Sequence, residues 1–355
     1  MDSLNKEINF ARAFYFLAFT FLIFYSFNSL SNILTPIAIA FFIWFLINGL
    51  ANEIKKIPYI NKKVLNYTAT PLSLVIIIYL MINIGTFITS SMLELGSVVS
   101  QLDSKINIVI DKISSLLSMD LKEPLQKFFK EFNISSVINK IFMAFSSILS
   151  NTMQIFLYVL FLLIDQRFFN SKLNALFKKD ENRQKAKKVL TSISSGIRTY
   201  ILITTLVSFA TGFLTFLICH YFGLQAAVLW GFIAFILNFI PTIGTIIAVL
   251  IPTVFALIQF TDLSSIISIF AALCVVQFVI GNVIYPKLMG NSLNMSQFVV
   301  ILSLVIWGAM WGTIGMFLAV PLMMILLIIL SQFESTKSLA ILISEDGNIL
   351  RNNEN

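Results

Sequence analysis

Apolar residues run in long uninterrupted blocks along this chain, and polar residues collect in short clusters between them. Blocks fall at roughly 10–27, 33–50, 71–89, 148–164, 200–220, 226–259, 266–284 and 298–330. Runs of about twenty apolar residues have the length of a membrane-crossing helix. Six of the eight blocks fit single spans, with the break between the first two falling within SLSNILTP at 29–36. The blocks at 226–259 and 298–330, about 34 and 33 residues, are too long for one untilted span.

A different period governs the segment between the third and fourth blocks. Leu95, Val99, Leu102, Ile106, Ile110, Ile113 and Leu117 recur at spacings of three and four, and Phe128, Phe132, Val137, Ile141 and Phe145 do so after Pro124. This predicts amphipathic helices, either a cap on the bundle or a subunit contact. NIS at Asn133 matches a glycosylation acceptor, a short motif that carries no weight here. The predicted fold class is an all-α polytopic membrane protein of about eight transmembrane segments plus this external segment.

Composition agrees with the pattern: 58% of residues are hydrophobic, 12% are charged, and the mean hydropathy is +0.90. Most apolar surface must face lipid, so the bilayer is the first partner. The net charge of +7 resides in short loop clusters, which fits cytoplasmic loops and not a nucleic-acid surface. ANEIKKIPYINKK at 51–63 and the segment from Arg167 to Lys188 are basic, whereas Glu94 to Lys140 is balanced. The rule that basic loops stay inside places the N-terminus in the cytoplasm and the amphipathic segment outside. The first block has no small-residue cleavage site and reads as a retained span. The basic stretch at 178–190 reads as a solvated helix at the headgroups.

These features divide the chain into N-terminal transmembrane helices (1–90), the external segment (91–147), one further span (148–169) and a basic cytoplasmic linker (170–197). A transport core (198–331) and a cytoplasmic tail (332–355) follow.

Between Thr199 and Thr261 there is no Lys, Arg, Asp or Glu, yet the centre of that region reads NFIPTIGTIIAVLIP, with Pro241 and Gly244 interrupting a helix. The interruption has an echo. Thr242-Ile243-Gly244, Ala248-Val249 and Pro252 match Thr313-Ile314-Gly315, Ala319-Val320 and Pro321, 71 residues apart except at the last proline. One ordinary span precedes each copy, giving repeats 198–260 and 264–331. If each long block is a hairpin, the loop charges make the first enter from outside and the second from inside, an inverted repeat. Pro241 and Gly244 then mark one tip, and Gly308, Gly312 and Gly315 of WGAMWGTIG mark the other. Broken helices at bilayer depth are tolerated where their polar groups face protein or a watery cavity. Kinked ordinary spans with closely packed glycines are the competing reading.

The neutral polar residues near these tips are Asn238, Thr242, Thr245, Gln277, Asn282 and Thr313. With Pro241, Gly244, Trp307, Gly308, Gly312 and Gly315 they make the candidate substrate-binding set. Amides, hydroxyls and backbone suit an uncharged polar solute; the alternative for each is an interhelical hydrogen bond. No catalytic residue, metal ligand or cofactor is expected: there is no P-loop, no GxS with paired His and no HExxH. Cys219 and Cys274 lie in separate apolar runs, and His220 is the sole histidine. An enzyme is therefore not expected.

NFIPTIGTIIAVLIP, QFVIGNVIYPKLMG at 277–290 and SLVIWGAMWGTIGMFLAVPL at 303–322, with Arg198-Thr199-Tyr200 before them, resemble the signature of the autoinducer-2 exporter family of bacterial membrane proteins. The resemblance implies an inner-membrane transporter of about eight spans in a homo-oligomer, with a pentameric ring as one form. It implies export of a small molecule such as autoinducer-2, hence a link to quorum sensing; some relatives are assigned to sodium/proton antiport. Two departures bear on mechanism. Ile280 stands where relatives often carry an acid before Gly-Asn, which argues against ion coupling, and Thr242 and Thr245 replace an aromatic and a second proline. The expected function is a secondary exporter working by alternating access. A cation/proton antiporter and a non-transporting oligomeric scaffold are the alternatives.

Overall fold

A computed structural model describes residues 14–15, 18–19, 21–57, 64–87, 150–177, 179–260, 262–290 and 294–347, with isolated positions between 90 and 146. The described residues are helical, with no strand among them. Most of the segment expected to be external and amphipathic (91–147), Asn133 and the end of the tail lie outside the described residues.

In chain order, the helices are α1 (Ser31–Ile54), α2 (Val64–Phe87), α3 (Thr152–Asp165), α4 (Phe169–Leu176) and α5 (Asp180–Tyr221). There follow α6 (Ala227–Leu237), α7 (Ile243–Gln259), α8 (Leu263–Val279), a π turn (Ile280–Ile284), α9 (Tyr285–Met289), α10 (Gln297–Leu330) and α11 (Lys337–Ile343). Among the described residues, six helical stretches are long and apolar enough to cross a membrane; α6 and α7 are shorter apolar helices. Helical residues 21–29 precede α1 across a single turn residue, Leu30, so the weak break expected between the first two blocks falls there.

The centre of the bundle is α5. Its 42 residues extend about 63 Å at 1.5 Å per residue, twice the thickness of a bilayer core. The basic stretch at 180–190 is thus the first part of this helix and not a separate one. Asp180 and Glu181 in its first turn and His220 in its last suit the helix dipole. It stops at a Schellman motif: Gly223 takes a φ of +70°, its N–H donates to His220 O at 3.0 Å, and Leu224 N–H donates to Cys219 O at 2.8 Å.

Two faces of α5 are distinct. Leu206, Phe209, Phe213 and Leu217 are exposed at spacings of three and four, as a lipid-facing stripe should be. The buried stripe includes Tyr200, Thr204, Ser208, Thr211, Gly212 and Thr215. Here α6 packs so closely that a β-carbon on Gly212 would stand 2.6 Å from Gly231 O, and one on Gly231 would stand 2.7 Å from Gly212 O. Without a hydrophobic drive between helices in lipid, such small-residue contacts are how backbones gain dispersion energy.

Two apolar cores result. One joins the far part of α5 to α6, α7 and α8 around Trp230, Phe255 and Leu273. The other joins α1, α3, the near part of α5, α10 and α11 around Ile47, Ile201 and Met324. Phe239, between α6 and α7, is buried in the second core although its neighbours Leu237 and Ile240 belong to the first.

Candidate functional site

Both long apolar blocks reverse direction. In the first, α6 and α7 form an antiparallel pair: the rings of Trp230 and Phe255 lie 5.1 Å apart near its open end, and Gly244 meets the Leu237 carbonyl at its closed end. Gln259 latches the open end, donating from Nε2 to Gly223 O and accepting from Gln225 N–H, both at 2.8 Å. Trp230 Nε1 donates to Gln225 O at 2.8 Å, completing the latch.

The second reversal lies within α10. Gly312 has φ +62° and ψ −143°, outside helical space and open to glycine alone. A straight helix of 34 residues would extend about 51 Å. Ile343, only 13 residues beyond Leu330, nevertheless accepts a hydrogen bond from Ser296 N–H at 3.1 Å, and Glu345 N–H donates to Asn294 Oδ1 at 3.3 Å. The two ends of α10 therefore lie near each other, and the helix folds back at Gly312.

The two tips share a construction. A β-carbon on Gly244 would stand 1.8 Å from Leu237 O, and one on Gly315 would stand 1.9 Å from Trp307 O. No side chain fits against a backbone carbonyl at that distance. The third residue of each Thr-Ile-Gly is glycine because the returning limb passes over the carbonyl of the incoming one.

At the first tip, Pro241, Thr242 and Ile243 form a γ-turn. Thr242 has φ +62° and ψ −61°, and Ile243 N–H donates to Pro241 O at 2.6 Å. Positive φ in a β-branched residue is strained, at a typical cost of about 1–3 kcal/mol. The Thr242 side chain is exposed, Thr245 Oγ1 donates to Thr242 O at 2.8 Å, and Asn238 Nδ2 donates to Ser208 Oγ of α5 at 3.0 Å.

The tips approach each other through aromatics. Phe239 of the first lies 4.7 Å, ring to ring, from Phe317 on the returning limb of the second, and Phe42 of α1 is 5.0 Å from Phe317. Phe27 covers the second tip, 6.2 Å from Trp307 and 6.3 Å from Trp311, whose Nε1 donates to Phe27 O at 3.1 Å.

Of the residues expected at the site, Asn238, Pro241, Thr242, Gly244 and Thr245 gather at the first tip. Trp307, Gly308, Gly312, Thr313 and Gly315 gather at the second, where a β-carbon on Gly308 would meet Met316 Cε at 2.8 Å. Gln277 is half-buried on α8, with its Oε1 buried and unpartnered. Asn282 is apart: it is exposed on the π turn and donates to its own helix at Phe278 O, 3.2 Å away. Sequence reasoning missed Phe27, Phe42, Phe239 and Phe317, because nothing distinguishes four phenylalanines among 35. It also missed the α5 hydroxyls, whose three-and-four spacing inside an apolar block was the available signal.

Comparison with known proteins follows the same lines. The sequence profile of the family described as AI-2E family transporter matches residues 14–335. The AI-2 transport protein TqsA of Escherichia coli K12 is 26% identical over 320 residues, 89% of this chain and 90% of that protein. A putative transport protein of Haemophilus influenzae is 31% identical over 225 residues, covering 63% of this chain and 64% of its own length. The putative transport protein YhhT of Escherichia coli K12 is 38% identical over 148 residues, 42% of each chain.

Proposed function

The chain belongs to the AI-2E family of membrane transporters, and on that premise we propose that it is a secondary carrier exporting a small neutral polar metabolite such as autoinducer-2. The observation that carries this reading is the pair of reversals whose tips meet at Phe239 and Phe317. What supports the reading is that the N-terminal turn of α7, the strained Thr242 and Asn238 all belong to the tip of the first hairpin, in a chain with helices long enough to span lipid. Helix N-termini present N–H donors, and discontinuous helices in carriers use such ends to hold solutes near the bilayer midplane.

Neutral groups line the site. Among the described residues, the buried hydroxyls belong to Ser, Thr and Tyr200, and no carboxylate is buried beside them. That favours a neutral solute over cation/proton antiport. The name of TqsA, an AI-2 transport protein, supports autoinducer-2 as the first solute to try. In the mechanism proposed, the two hairpins enter from opposite faces as an inverted repeat and expose the site to each side in turn. The protein lies in the plasma membrane with its N-terminus in the cytoplasm, assembled as a homo-oligomer as the family resemblance implies.

The test combines topology with flux. In a background with Cys219 and Cys274 replaced by Ala, single cysteines Ser264→Cys and Gln332→Cys are labelled with an impermeant thiol reagent from each side. The expected result is Ser264 outside and Gln332 inside, with autoinducer-2 uptake into inside-out vesicles abolished at unchanged abundance by Thr242→Trp, a position whose side chain is exposed at the tip. Labelling of both from the same side would remove the inverted repeat. Uptake by Thr242→Trp equal to the parent's would remove the tip as the site.

A further inference from the structure

One cluster of buried hydroxyls lies below the first tip and is used by neither hairpin. Tyr200 and Thr204 of α5 are 1% and 2% exposed. The Tyr200 hydroxyl makes no hydrogen bond of normal geometry, although the Thr204 hydroxyl lies close to it. Thr204 Oγ1 lies 3.5 Å from the hydroxyl of Tyr285, and Tyr200 shares these surroundings. Hydroxyl pairs normally close to about 2.5–3.0 Å, so this one is slack. One turn further along α5, Ser208 holds Asn238 of the hairpin tip.

Tyr285 reaches α5 because of a local irregularity. Pro286 in a regular helix would clash with the carbonyl four residues earlier. The wider π turn at Ile280–Ile284 relieves that clash, and its extra residue rotates Tyr285 toward Thr204.

A buried phenol without a well-formed hydrogen bond is destabilising relative to a satisfied one, and phenylalanine would avoid that cost. In lipid there is no bulk water to fill the gap. We propose that Tyr200, Thr204 and Tyr285 form a binding position for the hydroxyl or carbonyl groups of the carried solute, continuous with the tip through Ser208 and Asn238. This rests on the carrier reading and adds specificity residues to it. Each of the three hydroxyls both donates and accepts, and none is charged at neutral pH, so the position selects a neutral solute with adjacent oxygen functions.

Two measurements test this. Independent of the solute, Thr204→Cys in the cysteine-free background is exposed to a small hydrophilic methanethiosulfonate from each side. Labelling from either side is expected; no labelling from either side overturns the proposal. Second, autoinducer-2 uptake into vesicles is measured for Tyr200→Phe and Tyr285→Phe. Each is expected to raise KM at least fivefold with thermal stability equal to or above that of the parent, since only an oxygen is removed. KM within twofold of the parent, while Thr242→Trp blocks uptake, overturns the hydroxyl position and leaves the carrier reading intact. If the parent itself takes up no autoinducer-2, that solute is wrong and the labelling result alone decides the position.

Discussion

Gly244 and Leu237 stand where a helix, a turn and a second helix meet, and a β-carbon on the former would be 1.8 Å from the carbonyl oxygen of the latter. The obstacle is backbone, which cannot swing aside as a side chain can. Gly244→Ala should therefore destabilise by the upper part of the range of about 1–3 kcal/mol that overpacking costs, and Gly315→Ala should match it. Gly281→Ala is the contrast. Nothing lies within 4 Å of its β-carbon, so the substitution should be neutral or stabilise by about 0.5–1 kcal/mol. Thermal unfolding of the three variants in detergent checks the ordering.

Removing the Gln259 side chain breaks two hydrogen bonds at the open end of the first hairpin. Gln259→Leu should lower stability by about 1–3 kcal/mol, the cost of leaving polar groups unpaired. Hydrogen exchange should quicken at Gln225, while the donors of Leu224 and Gly223, bonded within the Schellman motif, keep their protection. Equal exchange at all three would mean that the latch contributes nothing separate from the end of α5.

Phe239→Ala empties the contact with Phe317 and should cost about 3–5 kcal/mol. Because Phe239 is buried at the meeting of two tips, uptake should fall before abundance does. Phe239→Leu should recover most of the abundance and less of the uptake; identical recovery of both would reduce this ring to a packing residue.

Asp262 caps α8, accepting from Ser265 N–H at 2.9 Å. Hydrogen bonds from the Ser265 hydroxyl and then its backbone N–H hold the carboxyl down at about 2, below the ordinary 3.8. A depressed carboxylate stabilises fully above the unfolded value and loses that contribution as pH falls through the folded one. The stability difference between the parent and Asp262→Asn should thus stay constant above about pH 5 and shrink between about pH 4 and 2. Unfolding midpoints measured across that range test the sign.

The reversals were legible in the sequence because proline and glycine are conspicuous inside charge-free runs, and because Thr-Ile-Gly occurs twice. What the string did not disclose was the meeting of the tips, since Phe239 and Phe317 are 78 positions apart in a chain full of phenylalanine. Asn282 shows a position that the string could not supply. Its place in a family-like segment made it a site candidate, but the π turn leaves it exposed on the outer face. The basic stretch before Arg198 looked separable because charge and apolarity change abruptly there. Backbone hydrogen bonding does not follow that change, and the helix continues through it.

That continuity makes one rod of two chemically different halves. At about 63 Å it is roughly twice as long as a bilayer core is thick, so about half of it needs surroundings other than hydrocarbon, and the half with Lys185, Lys187 and Lys188 has the side chains for water. Arg198, 3.2 Å from Glu53 near the end of α1, stands where the two halves join.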